Sequence, residues 1–281
     1  MKTTYVNRKP YTGRQGGLME LGEFARRVEA GERNFHGSTL VDTKYEGEAE
    51  RALAKAGIMF PARYAEVMSR IPTSADPDKW SPNELFKKAK SAEDYDALSS
   101  LFARMQAIAF DMKDNPIHFH SFRFSYENGG AQPVNANGLF LPFAVLEEGT
   151  HIYPAKLPNL TIPGAKIRED SGFSERRTDL QARRYGTRET KEYKVAQVAG
   201  MNMVGAQLSD AAMQGVDLSG VDMRYADFNN VDFTKAQFYP TTDARGARFT
   251  ACDFSGAVNT EKMLLGANGD RTYFIKCKGH F

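Results

Sequence analysis

Large apolar side chains recur at every fifth position in the C-terminal third of the chain. In "VDLSGVDMRYADFNNVDFTKAQF", residues 216–238, these positions hold Leu218, Met223, Phe228, Phe233 and Phe238. An α-helix returns side chains to one face every three or four residues and a strand every second residue, so a sustained interval of five fits neither element. The pattern therefore predicts a coiled backbone with a period of its own.

The interval of five extends in both directions from this stretch. The repeat centres are Val198, Met203, Leu208, Met213, Leu218, Met223, Phe228, Phe233, Phe238, Ala244, Phe249 and Phe254. Two residues before each centre, nearly every unit has a small or β-branched residue, such as Ala206 or Val216. A narrow, close-packed interior has room for one bulky member of each inward pair. Both positions are therefore expected to face the axis of a tube.

This spacing resembles the pentapeptide-repeat family, whose units read small, Asp or Asn, Leu or Phe, and two further residues. Val216-Asp217-Leu218 and Ala226-Asp227-Phe228 follow that pattern, and the resemblance covers residues 33–47 and 196–258. It implies a mainly β solenoid, a right-handed quadrilateral β-helix with four units in each coil. Twelve units would make three coils, a column about 15 Å tall at about 4.8 Å per coil. The resemblance also implies a bacterial or phage source.

The N-terminal side is interpreted as a capping helix that leads into a first coil. Leu18, Leu21, Phe24 and Val28 are spaced for one helical face. Intervals of five then give three further repeat centres, which are Phe35, Leu40 and Tyr45. A helix over the open end of a solenoid would cover backbone groups that otherwise invite aggregation.

Residues 49–192 show no five-residue rhythm in this reading and are interpreted as an α+β insertion domain. The first half has helical patterning, and Ser81-Pro82 is a helix start signal. The second half, which includes "NPIHFHSF" and "NGLFLPFAVL", is typical of strands and turns. The expected organisation is a flexible leader 1–17, a capping helix and first coil 18–48, the insertion 49–192, the repeat β-helix 193–260 and a C-terminal cap 261–281. The first coil and the later run are expected to stack as one column.

Basic side chains concentrate near the end of this insertion. Residues 166–194 contain nine basic and six acidic side chains. The candidate partner-binding residues are the arginines Arg176, Arg177, Arg183, Arg184 and Arg188. A solvated helix or linker is the alternative interpretation of such a segment.

Residues that could catalyse a reaction or hold a metal form no recognisable motif in the sequence. His118 and His120 alternate along a presumed strand and would point to one side, but no carboxylate stands at a diagnostic spacing. Cys252 falls on an inward repeat position, which favours a role in the core. The sequence also lacks a Gly-rich phosphate loop, a zinc-ligand spacing and a nucleophile elbow. We therefore expect no catalytic residue, no metal and no cofactor.

Composition narrows the class of protein further. The chain has 37 Lys and Arg against 35 Asp and Glu, a formal charge of +2, which favours neither a nucleic-acid binder nor an acidic mimic of one. No stretch has the eighteen or so consecutive apolar residues that a membrane-spanning helix needs. The two cysteines lack CxxC spacing, which favours a reducing compartment. A cytoplasmic location is expected, with delivery into a host cell as the alternative because a polar leader also suits a secretion substrate.

Three functions remain open at this stage. The preferred one is a non-catalytic interaction protein in which the column is a rigid platform and the insertion helps to bind a protein partner. The second follows from the resemblance, since some family members mimic DNA and inhibit or protect topoisomerases. Residues 196–258 have seven aspartates against four basic side chains, and three coils are short for such a mimic. The third makes the protein a secreted effector whose insertion is an unrecognised enzyme.

Two further expectations concern partners. Direct binding to nucleic acid is not expected, because the charges nearly balance. The C-terminal segment is expected to cap the column, and the alternative is a homodimer formed through the same segment.

Overall fold

The computed structural model describes residues 17–41, 48–124, 134–152, 155–168, 171–177, 192–266 and 268–279. The helices are α1 (Leu21–Glu29), α2 (Glu48–Lys55), α3 (Ala62–Ser69), α4 (Asn83–Lys88) and α5 (Ala92–Asp114), with 3₁₀ turns at Pro77–Lys79, Thr260–Lys262 and Asn268–Asp270. The strands are β1 (Leu18–Glu20), β2 (Asn34–His36), β3 (Thr39–Val41), β4 (His118–His120), β5 (Val145–Leu146), β6 (Lys166–Arg168), β7 (Ser174–Arg177), β8 (Glu192–Val195), β9 (Gln207–Ser209), β10 (Asp227–Asn229), β11 (Arg248–Thr250) and β12 (Tyr273–Ile275).

Eight of these short strands form one parallel sheet. Their order is β2, β4, β5, β6, β9, β10, β11 and β12. The register places Phe119 beside Phe35, Phe228 beside Leu208 and Phe249 beside Phe228. Seven intervals of about 4.8 Å make a stack about 34 Å tall. This stack is more than twice the height expected from three coils.

Three further parallel ladders, each made of isolated bridges, accompany the sheet. The second ladder contains Thr39, Arg123, His151, Gly172, Ala212, Asp232, Asp253 and Lys278. The third has two runs, one of Asn135, Lys156 and Gln197 and one of Asp217, Gln237 and Val258. The fourth contains Phe140, Thr161, Asn202, Asp222, Asp243 and Leu264. Between Phe228 and Phe249 the chain passes through Asp232, Gln237 and Asp243, one member of each ladder, before it returns to the sheet. The backbone therefore coils, and we call the residues of the four ladders and the side chains they enclose the column.

The five-residue pattern fills the interior of the column. Every repeat centre from Val198 to Phe254 is buried, as is the residue two positions before each centre. Phenylalanine rings stack along the axis, with centroids 4.7 Å apart for Phe228 and Phe249 and 5.0 Å apart for Phe249 and Phe274. In-register coils hold equivalent side chains one strand spacing apart, which explains this face-to-face stacking. Of the first-coil centres, Phe35 and Leu40 are buried, and Tyr45 lies outside the described residues.

Part of residues 49–192 differs from the expected inserted domain. Strands β4, β5 and β6 fall in this range, yet they lie in the sheet between β2 and β9. Inward pairs such as Ala144 with Leu146 and Ala165 with Ile167 repeat the alternation of small and large residues in the C-terminal run. Outside the column lie the helical block, residues 48–114, and a two-stranded arm made of β7 and β8. The segment 261–281 also differs from a separate cap, because β12 continues the sheet.

Helix α1 packs against the first coil. Phe24 is fully buried, with its ring centroid 4.8 Å from that of Phe35 and 6.0 Å from that of Phe119. The helix begins later than the apolar spacing predicted, because Leu18 lies in β1, which pairs with β3, and is 63% exposed. This packing agrees with a capping role for α1, which stays a prediction.

The helical block packs against the fourth ladder. The carbonyl of Ile58 accepts a hydrogen bond from the amide of Phe140 at 2.8 Å, and the amide of Phe60 donates to Gly138 at 3.0 Å. Backbone groups at the start of this ladder are therefore paired by the block. The Phe140 ring lies in a second apolar core, 5.1 Å from Phe60 and 6.3 Å from Trp80. No described helix combines the length and the apolar character needed to span a bilayer.

A buried asparagine joins the column to the helical block. Asn202 is fully buried, its side-chain amide donates to the carbonyl of Ser69, and its Oδ1 accepts from the amide of Val204 at 3.1 Å. We expect Asn202→Ala to lower the free energy of unfolding by about 1–3 kcal/mol, because two backbone groups lose their partners in a dry contact. Denaturant titration measures this loss, and amide exchange should accelerate in residues 58–71. The exposed Asn229→Ala is the control, and an equal loss in both variants would contradict the assignment.

Candidate interaction surfaces

Two of the five arginines of the predicted site, Arg176 and Arg177, lie in the two-stranded arm. Strands β7 and β8 are antiparallel, with Arg176 opposite Tyr193 and Arg177 opposite Glu192. The other three arginines, which are Arg183, Arg184 and Arg188, lie outside the described residues. The arginine site therefore stays a prediction.

The arm has a fixed base on the column. Its chain leaves after Phe173 and rejoins at Ala196, whose amide donates to the carbonyl of Phe173 at 2.7 Å. Ser174 is buried, and its hydroxyl donates to Oε1 of Gln214 at 2.6 Å. The amide nitrogen of Gln214 donates in turn to Asp232 at 2.7 Å. These contacts set the position from which the arm projects.

The helical block exposes a stacked aromatic pair. The rings of Phe86 in α4 and Tyr95 in α5 have centroids 4.6 Å apart at an interplanar angle of 17°, and the two residues are 43% and 41% exposed. Phe86 follows the buried Leu85 in a short helix, so it lies on the solvent side. Exposed aromatic side chains are enriched among residues that contribute most to protein interfaces.

The first turn of α5 is held in place beneath this pair. The hydroxyl of Ser91 accepts from the amide of Asp94 at 3.1 Å, which caps the helix. The hydroxyl of Tyr64 donates to Asp94 at 3.0 Å. Burial, and then this hydrogen bond, raises the pKa of Tyr64, so its hydroxyl stays protonated and continues to donate at neutral pH. The aromatic pair is therefore displayed on a fixed support.

Two arginine–aspartate pairs lie on the fourth ladder beyond the block. Arg224 binds Asp222 through Nε at 2.8 Å and Nη2 at 2.6 Å, and Arg245 binds Asp243 through Nη2 at 2.6 Å. The hydrogen bonds to Asp222 raise the pKa of Arg224 and keep its guanidinium charged, whereas burial raises the pKa of the Asp222 carboxyl. These groups neutralise one another, so the geometry favours a structural role.

The predicted histidine pair lies on the outer side of β4. Phe119 between them is buried, so His118 and His120 both point outward. The carboxylate of Glu147 lies 3.4 Å from Nδ1 of His118 and 3.6 Å from Nδ1 of His120, and the ring of His36 stacks on His120 with centroids 4.8 Å apart. Within the described ranges, no group of three or more His, Cys, Asp or Glu side chains could hold a metal ion. Sequence reasoning missed Glu147 because it follows the neighbouring strand β5 directly, 29 residues from His118.

The coiled ladders and the buried centres agree with a comparison to known families. A family model for pentapeptide repeats matches residues 202–238, with eight copies. Residues 202–238 are pentapeptide repeats. The resemblance inferred from the five-residue spacing is thereby confirmed for this segment. The pentapeptide spacing itself runs on beyond it, since Phe249 and Phe254 are buried in the same way as Phe228 and Phe233.

Solved structures give distant likenesses to this chain. Full-length QnrB1, a plasmid-mediated fluoroquinolone resistance protein, is 18% identical; the match covers 57% of this chain and 74% of QnrB1, with a TM-score of 0.22. A trypsin-treated form of QnrB1 is 16% identical, with 58% of this chain and 74% of that chain covered and a TM-score of 0.18. No curated protein matches the sequence.

Proposed function

We propose that this is a non-catalytic bacterial or phage protein that binds a protein partner through the helical block. In this proposal the column is a right-handed quadrilateral β-helix, and the protein works in the cytoplasm. The observation that carries the proposal is the exposed Phe86–Tyr95 stack on a block fastened to the column through Phe140 and Asn202. A surface that is already ordered loses little conformational entropy on association, which favours binding.

The double variant Phe86→Ala, Tyr95→Ala should reduce capture of the partner about tenfold or more, because paired aromatic anchors contribute strongly to binding. The measurement is affinity purification from the native host followed by titration of the recovered partner. Phe110→Ala is the matched control, since Phe110 is 39% exposed and lies about 22 Å from Tyr95 along α5. Unchanged capture by the double variant, or equal loss in the control, would count against this surface.

The arm offers a second surface within the same proposal. The arginines in and after β7 in the sequence, which are Arg176, Arg177, Arg183, Arg184 and Arg188, favour an anionic partner. Replacing all five with glutamine tests this surface. A partner lost by that variant, but retained by the Phe86/Tyr95 variant, binds through these arginines.

A DNA mimic that acts on topoisomerases is the alternative function. The column is about 34 Å tall, which is the length of about ten base pairs of duplex DNA. A DNA mimic has to match a long stretch of duplex, so this height suits a mimic better than the height of three coils. The charge of the added coils argues against a DNA mimic, which needs a negative surface. Four basic side chains stand against two acidic ones in residues 117–124, 134–152 and 155–168. Inhibition or protection in a gyrase supercoiling assay at micromolar protein would favour the mimic. The effector with an enzymatic insertion rests on the sequence alone.

The C-terminal end of the column favours a homodimer as a second proposal for that segment. Large apolar side chains are exposed there, at Val258, Leu264, Leu265, Tyr273 and Ile275. Among the described strands, β12 pairs with β11 alone. Light scattering should give the mass of two 31.3 kDa chains, reduced to one by Ile275→Asp, because a buried charge without a partner is costly. Leu18→Asp, at the other end of the column, is the control, and a monomeric wild-type protein contradicts the dimer.

A further inference from the structure

The two cysteines of the chain are neighbours in consecutive coils. Asp253 pairs with Lys278 in the second ladder, and the amide of Lys278 donates to the carbonyl of Cys252 at 2.9 Å. Cys252 and Cys277 therefore occupy equivalent positions, one residue before each bridge partner. Their thiols make matching contacts one coil apart, to the carbonyl of Phe228 at 3.5 Å and to that of Phe249 at 3.4 Å.

This placement fits the geometry of a disulfide. Equivalent residues in adjacent parallel strands lie about 4.8 Å apart, and disulfides join Cα atoms that are about 4.4–6.8 Å apart. Both side chains face the same core, Cys252 fully buried and Cys277 partly buried. Both cysteines are free thiols in this structure.

The two thiols differ in their reactivity toward a dissolved reagent. Burial raises the pKa of the Cys252 thiol to about 12, and the neighbouring Cys277 adds to the rise. Cys252 is therefore protonated at neutral pH. Cys277 lies nearer to solvent and is the sulfur that a dissolved oxidant reaches first.

We propose that Cys252 and Cys277 form a redox modification site that closes into a disulfide and fastens the last coil to the column. The oxidant is a low-molecular-weight disulfide such as oxidised glutathione. Cys277, as the thiolate, attacks one sulfur of the reagent, which forms a mixed disulfide and releases one small thiol. Cys252 then loses its proton and attacks the Cys277 sulfur, which releases the second small thiol. Two protein thiols are oxidised and one small disulfide is reduced to two thiols, so protons and electrons balance.

The bond would enclose the terminal coil, residues 253–276. Among the described strands this coil has a sheet neighbour on one side, because β12 pairs with β11 alone. A terminal coil of this kind is expected to open more readily than the coils inside the stack. A cross-link between its two ends removes the open conformations of this coil. The proposal does not depend on which partner the helical block binds.

Mass spectrometry of the full-length protein after incubation with oxidised glutathione tests the site. The intact mass should fall by about 2 Da, the loss of two hydrogen atoms, and return after reduction. A non-reducing peptide map should contain one cross-linked peptide that joins Cys252 to Cys277. Amide exchange in residues 253–276 should slow in the oxidised protein, while exchange at β9 and β10 stays unchanged.

Matched variants separate the two sulfurs. Alanine occupies the equivalent inward position of the second ladder at Ala211, one residue before the bridge partner Ala212, so Cys252→Ala and Cys277→Ala are expected to fold. Cys252→Ala should stop at a glutathione adduct on Cys277, and Cys277→Ala should stay reduced. A wild-type protein that also stops at the adduct, remains reduced, or links two chains on a non-reducing gel would overturn the proposal.

Discussion

Phe249→Ala is expected to lower the free energy of unfolding by about 3–5 kcal/mol. The ring of Phe249 lies between those of Phe228 and Phe274, at centroid distances of 4.7 and 5.0 Å, and meets Phe254 at 5.4 Å. Truncation leaves a cavity inside the column. The walls cannot collapse into it, because β11 is hydrogen-bonded in register to strands on both sides.

Urea denaturation of the full-length protein measures this loss. Phe110→Ala is the control, because it removes an equal side chain that is 39% exposed and should cost less than about 1 kcal/mol. Phe249→Leu should fall between the two variants, since leucine fills the equivalent position at Leu208 in the same sheet. Wild-type stability in Phe249→Ala would mean that the repeat centres do not form the core.

The C-terminal coils could be predicted from the sequence because each unit carries its own inward pair. Val216 with Leu218 and Val231 with Phe233 each give the small and large members within three residues, and all four are buried. A solenoid packs each unit mainly against its neighbours, so a local pattern reports the local fold. Side-chain direction could therefore be read without any knowledge of distant contacts.

The coils in residues 134–168 were missed although the same interior pattern is present. Their second positions hold Val145, Lys156 and Lys166, where the C-terminal run has mostly Asp or Gln. One step, from Leu146 to Ile152, has six residues, which interrupts a strict count of five. The alternation of alanine with leucine or isoleucine was the signal that could have found them. Prolines such as Pro158 made the segment resemble ordinary turns.

The segments that interrupt the coils could not be predicted from the five-residue spacing. Phe35 pairs with Phe119 across the whole helical block, and a repeat count cannot show that the chain resumes the column after such a distance. The candidate surface depends on the same kind of long-range packing. Phe86 and Tyr95 stack because α4 and α5 meet, and the spacing within either helix does not show this contact. The spacing of apolar residues predicts which face of a helix is apolar, but it does not predict which other element packs against that face.

Gly172→Ala is expected to disrupt the second ladder, although it adds only one methyl group. Gly172 has a φ of +155°, and a Cβ there would lie 2.2 Å from the carbonyl oxygen and 2.7 Å from the amide nitrogen of Ala212. That oxygen accepts from Phe173 at 2.9 Å, and that nitrogen donates to Ser171 at 3.0 Å. Relief of the clash would break these two ladder bonds. We expect a loss of about 3 kcal/mol or more in the free energy of unfolding.

Gly269→Ala provides the matched control, because a Cβ at Gly269 meets no atom within 4 Å. The same methyl group is added in both variants, so their difference isolates the close approach of two coils at Gly172. Urea midpoints of the two proteins give that difference directly. Equal midpoints would show that the backbone of Ala212 does not lie against Gly172. The bridge between Gly172 and Ala212 joins the coil before the two-stranded arm to a coil after it, and residues 178–191 lie between these two coils in sequence. Equal midpoints would therefore show that this bridge is wrong.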